Sequence, residues 1–170
     1  NASVNEGSSY SLTLGSVTDP GTDTVSSYVV HWGDGNSDTY GTSGAKTHTY
    51  DDGPATRSIT VDLVDEDGGY LDRANALSVT VNNVAPTATF NAPSSVNEGT
   101  PILISLSSPS DPSSADTTAG FTYAFDCGSG YGAASGTSST SCPTSDNGSR
   151  TVKGKVFDKD NPNRPIRNLV

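Results

Sequence analysis

Methionine is absent from this sequence, tryptophan occurs once and cysteine twice. Basic side chains are scarce as well: 9 Lys and Arg stand against 19 Asp and Glu, a net charge of −10. Such a surface repels nucleic acid and anionic membranes, whereas it suits divalent cations. An acidic surface also serves solubility alone. No apolar run approaches the length of a membrane-spanning helix, so membrane insertion is not expected. No glycine-rich phosphate loop is present. Serines are plentiful, yet no nucleophile elbow accompanies a histidine and an acid, so hydrolase chemistry has no support and no catalytic residue is assigned. The chain opens on Asn1 and stops at Val170. It reads as a fragment of something longer, and the missing signal segment says little about location.

What the sequence has in quantity is repetition and turns. Val4-Asn5-Glu6-Gly7 returns as Val96-Asn97-Glu98-Gly99, 92 positions later. Asp19-Pro20 returns as Asp111-Pro112, and Asp51-Asp52-Gly53 as Asp146-Asn147-Gly148. Val64-Asp65-Glu66-Asp67 returns as Phe157-Asp158-Lys159-Asp160. Between the two copies lies Asn82-Asn83-Val84-Ala85-Pro86-Thr87, where Pro86 fixes its own φ and biases Ala85 toward an extended backbone. The expected organisation is two domains, 1–85 and 86–170, joined by a short connector. Charge divides unevenly between them: residues 1–85 carry twelve acidic side chains and three basic, residues 86–170 seven and six.

Within each half, short alternating runs separate turn signals, and nothing reads as a substantial helix. Tyr10–Leu14, Tyr28–Trp32, Asp38–Tyr40, Thr47–Tyr50, Arg57–Val64 and Ala76–Val81 read as strands. Ile59, Val61 and Leu63 fall on one face of the fifth. In the second half Phe121–Cys127 replaces the tryptophan strand, and Ile166–Val170 is only the beginning of a last strand. Many short strands indicate an all-β fold of two tandem sandwiches. Cys127 and Cys142 are free thiols or a disulfide. The absence of Met, the repeat and the Gly/Ser-rich flanks suit a secreted chain and favour the disulfide.

Trp32-Gly33-Asp34-Gly35, then His48-Thr49-Tyr50, then a Thr/Val-rich strand ending in Asp65-Glu66-Asp67-Gly68-Gly69 resembles the PKD domain. That is an immunoglobulin-like β-sandwich of bacterial secreted and surface proteins. The resemblance covers the first half; the second half is similar but divergent, lacking both the Trp-Gly-Asp-Gly turn and the His-Thr-Tyr strand. The Asn-Glu-Gly and Asp-Pro pairs of both halves are similar to those of calcium-dependent cadherin-like repeats. Membership implies an extracellular module used as spacer, adhesive segment or accessory to a catalytic domain, and no reaction. His31 and His48 have no cysteines nearby and read as packed or hydrogen-bonded strand histidines rather than zinc ligands; alternation and the family pattern together make Trp32 a core residue rather than a sugar platform.

Strand parity places the acids. With seven strands successively antiparallel, Glu6, Asp34, Asp51 and Asp52 fall at the end of the first domain where the connector begins. Asp19, Asp65 and Asp67 fall at the other end. Asp111, Asp158 and Asp160 of the second domain are expected to face the connector together with Glu6, Asp51, Asp52 and Asn83. Carboxylate and amide oxygens are what Ca²⁺ binds, six to eight of them. The plain alternative is that Asp-x-Asp-Gly and Asp-Asp-Gly are turn sequences. The expectation is a monomeric, non-catalytic extracellular module, a Ca²⁺-stiffened spacer of a larger secreted or surface protein. Its partners are then neighbouring modules of the same polypeptide. The alternative is an adhesive or substrate-binding module of a secreted polysaccharide- or protein-degrading enzyme, with a cell-surface, polysaccharide or protein ligand.

Overall fold

Runs in which every second residue is apolar can bury one face of an extended strand and leave the other to solvent. Such runs build both halves of this chain. The structure, a computed structural model, describes residues 2–18 and 23–160. It is all-β apart from one short helix among the described residues, and it divides into two compact units, Asn1–Asn83 and Val84–Val170.

The first unit contains β1 (Ala2–Asn5), β2 (Ser9–Leu14), β3 (Ser27–His31), β4 (Ser37–Tyr40), β5 (Gly44–Thr49), β6 (Ala55–Val64), β7 (Gly69–Tyr70) and β8 (Leu77–Asn82). One sheet runs β1-β8-β6-β3-β4, with β7 beside β6, and β2 pairs β5 in a second sheet. Tyr10 and Leu14 of β2 share a core with Val30, Ile59, Val61, Val79 and Val81 of the larger sheet. Val79 and Val81 are wholly buried, each contributing about 1.5–3 kcal/mol by burial. Because β1 and β8 are parallel, with Asn5 opposite Asn82, Glu6 and Asn83 leave the sheet at the same end. Strand β7 does not disturb this parity, since it and β8 both run antiparallel to β6.

The second unit contains β9 (Thr87–Asn91), β10 (Ile102–Ser110), α1 (Ser114–Ala119), β11 (Thr122–Asp126), β12 (Ser139–Cys142) and β13 (Lys153–Phe157). Its sheets are β12-β10-β9 and β11-β13. Leu106, Tyr123 and Val156 form the centre of its core, with Phe90, Phe121 and Phe125 packed against them. The six-residue helix α1 is an element that the alternation of the sequence did not suggest, and β9, β10, β12 and β13 were not located individually either. Ser113 caps it, its Oγ accepting the Asp116 N–H at 3.1 Å, and Gly120 ends it with φ 85°, a conformation that costs glycine nothing.

The pairing registers show how the two units correspond. Tyr28 lies opposite Leu63 and Val30 opposite Val61; Tyr123 lies opposite Val156 and Phe125 opposite Gly154. Strands β6 and β13 are thus related by 93 positions. Trp32 follows β3 as Cys127 follows β11. Cys127 and Cys142 are joined, with their Cα atoms 5.3 Å apart, so the disulfide reading holds. The strand beginning expected at Ile166–Val170 lies outside the described residues.

Candidate metal centre

Aspartate followed two residues later by a free backbone N–H folds back on itself, and the second unit does this at Asp111, Asp126 and Asp158, of which the first and last concern the site. Asp111 Oδ1 accepts the Ser113 N–H at 2.8 Å, and Asp158 Oδ1 accepts the Asp160 N–H at 2.9 Å. These turns follow β10 and β13. The helix α1 then adds Asp116, whose side chain is wholly buried. A carboxylate oxygen of Asp116 lies within 4.8 Å of one from Asp111, and likewise of one from Asp160. Lys159 Nζ stands 2.9 Å from Asp116 Oδ1 and also binds the Asp160 carboxylate. The Lys159–Asp116 contact is a charge pair, not an aligned hydrogen bond. Asp116 Oδ2 and Asp111 Oδ2 are buried with no hydrogen-bond partner.

Two carboxylates with buried, unpartnered oxygens are expensive as anions. Burial pushes the Asp111 carboxyl up, against the lowering effect of the Ser113 N–H, and the charges of Asp158 and Asp160 push it further. Burial likewise raises Asp116, opposed by Lys159 and reinforced by Asp160 and Asp111. The Lys159 ammonium thus faces Asp116 and Asp160 directly, and its charge opposes the rise at Asp111. An all-oxygen, net-negative cluster with orphaned buried oxygens is chemically suited to a hard divalent cation, which would take those oxygens as ligands.

In the first unit the predicted residues are disposed differently. Glu6 is wholly buried and accepts the Gly53 N–H at 2.7 Å, while its own N–H donates to the Asn82 carbonyl at 3.0 Å. Gly53 is required there, because a Cβ would stand 2.9 Å from the Asn82 carbonyl carbon. Glu6 thus latches the Asp51-Asp52-Gly53 turn to the end of β8, with Asp51 exposed, Asp52 half-buried, and Asn83 half-buried just beyond. At the other end Asp65 Oδ1 accepts the N–H groups of Asp67 and Gly68 at 2.8 and 3.1 Å. That turn repeats the Asp158–Asp160 geometry. Asp19 lies outside the described residues.

Asp116 is the site residue that sequence reading missed. The signal was present: Ser113-Ser114-Ala115-Asp116 has the spacing of a helix-capping serine and an acid three residues on. No histidine joins the acidic cluster. His31 Nε2 is 2.8 Å from Asp62 Oδ2, and His48 Nε2 is 2.7 Å from Asp34 Oδ2. The His48 ring stacks on Trp32 at 4.7 Å and meets Tyr50 edge-on, and Trp32 itself is wholly buried. These are packed, hydrogen-bonded strand residues. Compared with protein-family models and with curated protein sequences, the chain matches none.

Proposed function

We propose that this chain is a non-catalytic pair of immunoglobulin-like sandwich modules of PKD type, a Ca²⁺-stiffened spacer within a larger secreted or cell-surface protein. The observation that carries the reading is Asp116, a wholly buried carboxylate with an unpartnered oxygen, set among Asp111, Asp158 and Asp160. Calcium bound there is held by Asp111, Asp116, Asp158 and Asp160. Glu6, Asp51, Asp52 and Asn83 form the ligand set proposed for the first unit, with Asp19, Asp65 and Asp67 a half-site at its opposite end. Supporting the location, the Cys127–Cys142 bond suits an oxidising compartment, and no helix among the described residues is long and apolar enough to cross a membrane. The connector is short in sequence, so an ion that orders the residues flanking it opposes bending. Small-angle scattering with millimolar Ca²⁺ and with chelator is the test. A narrower distribution of maximum dimension in calcium supports the spacer; identical curves refute it.

An adhesive role has one observation in its favour. Leu12, Leu14, Val17 and Leu77 border a groove of about 370 Å³ in the first unit, and Val17 and Leu77 remain partly exposed. Retention of the chain on immobilised polysaccharides or matrix proteins, lost on Val17→Asp, would select that reading.

A further inference from the structure

One repeated turn is held down in the first unit and open in the second. In the first, the buried Glu6 carboxylate accepts the Gly53 N–H at 2.7 Å and so ties the Asp51-Asp52-Gly53 turn in place. By the sequence repeats, Glu98 stands where Glu6 does, and Asp146-Asn147-Gly148 where Asp51-Asp52-Gly53 does. Glu98, Asp146, Asn147 and Gly148 are all exposed. The Asn147 N–H is held by Asp146 Oδ1 at 2.8 Å, but among the described residues neither the Asn147 carboxamide nor the Gly148 N–H has a hydrogen-bond partner. The loop is anchored on either side of this tip. Thr144 Oγ1 donates to the Thr100 carbonyl at 2.8 Å, and Arg150 donates to the Pro143 carbonyl. Asn147-Gly148 is also the single Asn-Gly pair in the chain. The three Asp-Gly pairs are restrained. The Asp34 carboxylate is bound by His48 and Asn36, the Gly53 N–H by Glu6, and the Gly68 N–H by Asp65 Oδ1 at 3.1 Å.

We infer that Asn147 is a modification site, at which the carboxamide closes on the Gly148 nitrogen and is converted, without an enzyme, to aspartate and isoaspartate. Hydroxide takes the Gly148 amide proton, the nitrogen bonds to Asn147 Cγ, and the Cγ–Nδ2 bond breaks to release ammonia. The five-membered imide so formed takes up one water. Opening between Cγ and the nitrogen leaves aspartate. Opening at the main-chain carbonyl leaves isoaspartate, in which the backbone runs through Cγ and is one methylene longer. Nothing is oxidised or reduced. Glycine has no Cβ to crowd the closing ring, and it lets the backbone turn to meet the side chain. The restrained pairs lack these freedoms: an N–H given to a carboxylate is not presented to its neighbour, and an ionised carboxylate is a poorer electrophile than an amide. Either product sets a new carboxylate beside Asp146 and takes the formal net charge from −10 to −11, one neutral amide having become one anion. The inference stands apart from the calcium reading, because no proposed ligand lies in this loop.

The full chain is held in mildly alkaline buffer below its melting temperature, then digested and mapped by mass spectrometry, with electron-transfer fragmentation to separate isoaspartate from aspartate. The peptide that contains Asn147 should lose its unmodified form progressively and yield both products, faster as hydroxide rises. Peptides with Asn36, Asn75, Asn91 and Asn97 should stay unmodified over the same interval. Asn147→Gln cannot close a five-membered ring on the Gly148 nitrogen, so the acidic species that isoelectric focusing shows for the natural chain should be lost. An unchanged Asn147 peptide, equal conversion of the other asparagines, or an acidic species undiminished in Asn147→Gln would overturn the site. Isoaspartate forming at Asp34, Asp52 or Asp67 of the folded chain as fast as at Asn147 would overturn its structural basis.

Discussion

Trp32 and Cys127 hold equivalent positions just beyond the central strands β3 and β11, yet the two units stabilise that place by different means. The first stacks Trp32 on His48, sets Tyr50 edge-on to the same ring, and lets the Tyr50 hydroxyl donate to the Trp32 carbonyl at 3.0 Å. Burial raises the Tyr50 hydroxyl pKa to about 12, helped by the Asp34 charge, so it stays a donor. Among its described residues the second unit shows no stacked rings at this place, and it ties Cys127 to Cys142 instead. An aromatic cluster stabilises the folded state by buried area and contact. A disulfide acts largely by restricting the unfolded chain. A smaller core with Leu106, Tyr123 and Val156 at its centre is the setting in which a covalent tie matters most.

The comparison breaks most severely at Trp32. Trp32→Ala should cost about 3–5 kcal/mol, seen as a fall in the denaturant midpoint of the first unit only. Residues of the second unit should keep their amide protection. Cys127→Ala with Cys142→Ala should cost about 3 kcal/mol for a loop of this length, confined to the second unit. If reduction destabilises both units equally, their independence in this respect is wrong.

Smaller effects sharpen the contrast at the acids. Glu6→Gln leaves the Gly53 N–H an acceptor but removes the charge that strengthens it, and should cost about 1–3 kcal/mol in thermal unfolding of the first unit. Acid acts with opposite sign on the Asp34 and Asp62 carboxyls of the first unit and on Asp111 and Asp116 of the second. Burial raises Asp34, but hydrogen bonds from His48 and Asn36 outweigh it and hold the carboxyl low. The Asp72 N–H and then His31 lower Asp62. Stability from these two is present above the ordinary value of 3.8 and is lost as pH falls through their folded values. Asp111 and Asp116 are raised, so their contribution is present below 3.8 and is lost as pH rises through their folded values. Without divalent ions, lowering pH from neutrality toward 4 should slow amide exchange around Asp116 once intrinsic rates are corrected. Tryptophan fluorescence, which reports the first unit through Trp32 alone, should show its loss only at still lower pH.

Much of this was legible in the chain. Alternation located Arg57–Val64 and placed Ile59 and Val61 on the buried face, because a period of two has one structural meaning when one face is covered. Parity of strand direction brought Glu6 and Asn83 to one end of the first unit. The helix α1 was not legible by that means, since Ser114–Ala119 has no apolar periodicity and owes its helicity to a cap at each end. Asp116 was missed with it. Asp65 and Asp158 look alike in sequence and form the same turn; what differs is the residue between the acids, Glu66 in one and Lys159 in the other. Glu66 accepts the Thr24 N–H at 3.1 Å, while Lys159 turns its ammonium onto Asp116. Which way such a side chain points depends on an element far away in sequence.

The claim that a buried carboxylate awaits a cation is tested most directly by calorimetric titration of chelator-treated protein with Ca²⁺, for the natural chain and for Asp116→Asn. The natural chain should bind with Kd of about 10⁻⁴–10⁻³ M, as extracellular modules do. At one hundred times Kd the ion should add about 2.7 kcal/mol of stability. Asp116→Asn should lose this binding while unfolding no earlier than the natural chain in chelator, since it removes a destabilising buried charge. Absence of binding in the natural chain, or binding of equal strength in the variant, would contradict the assignment.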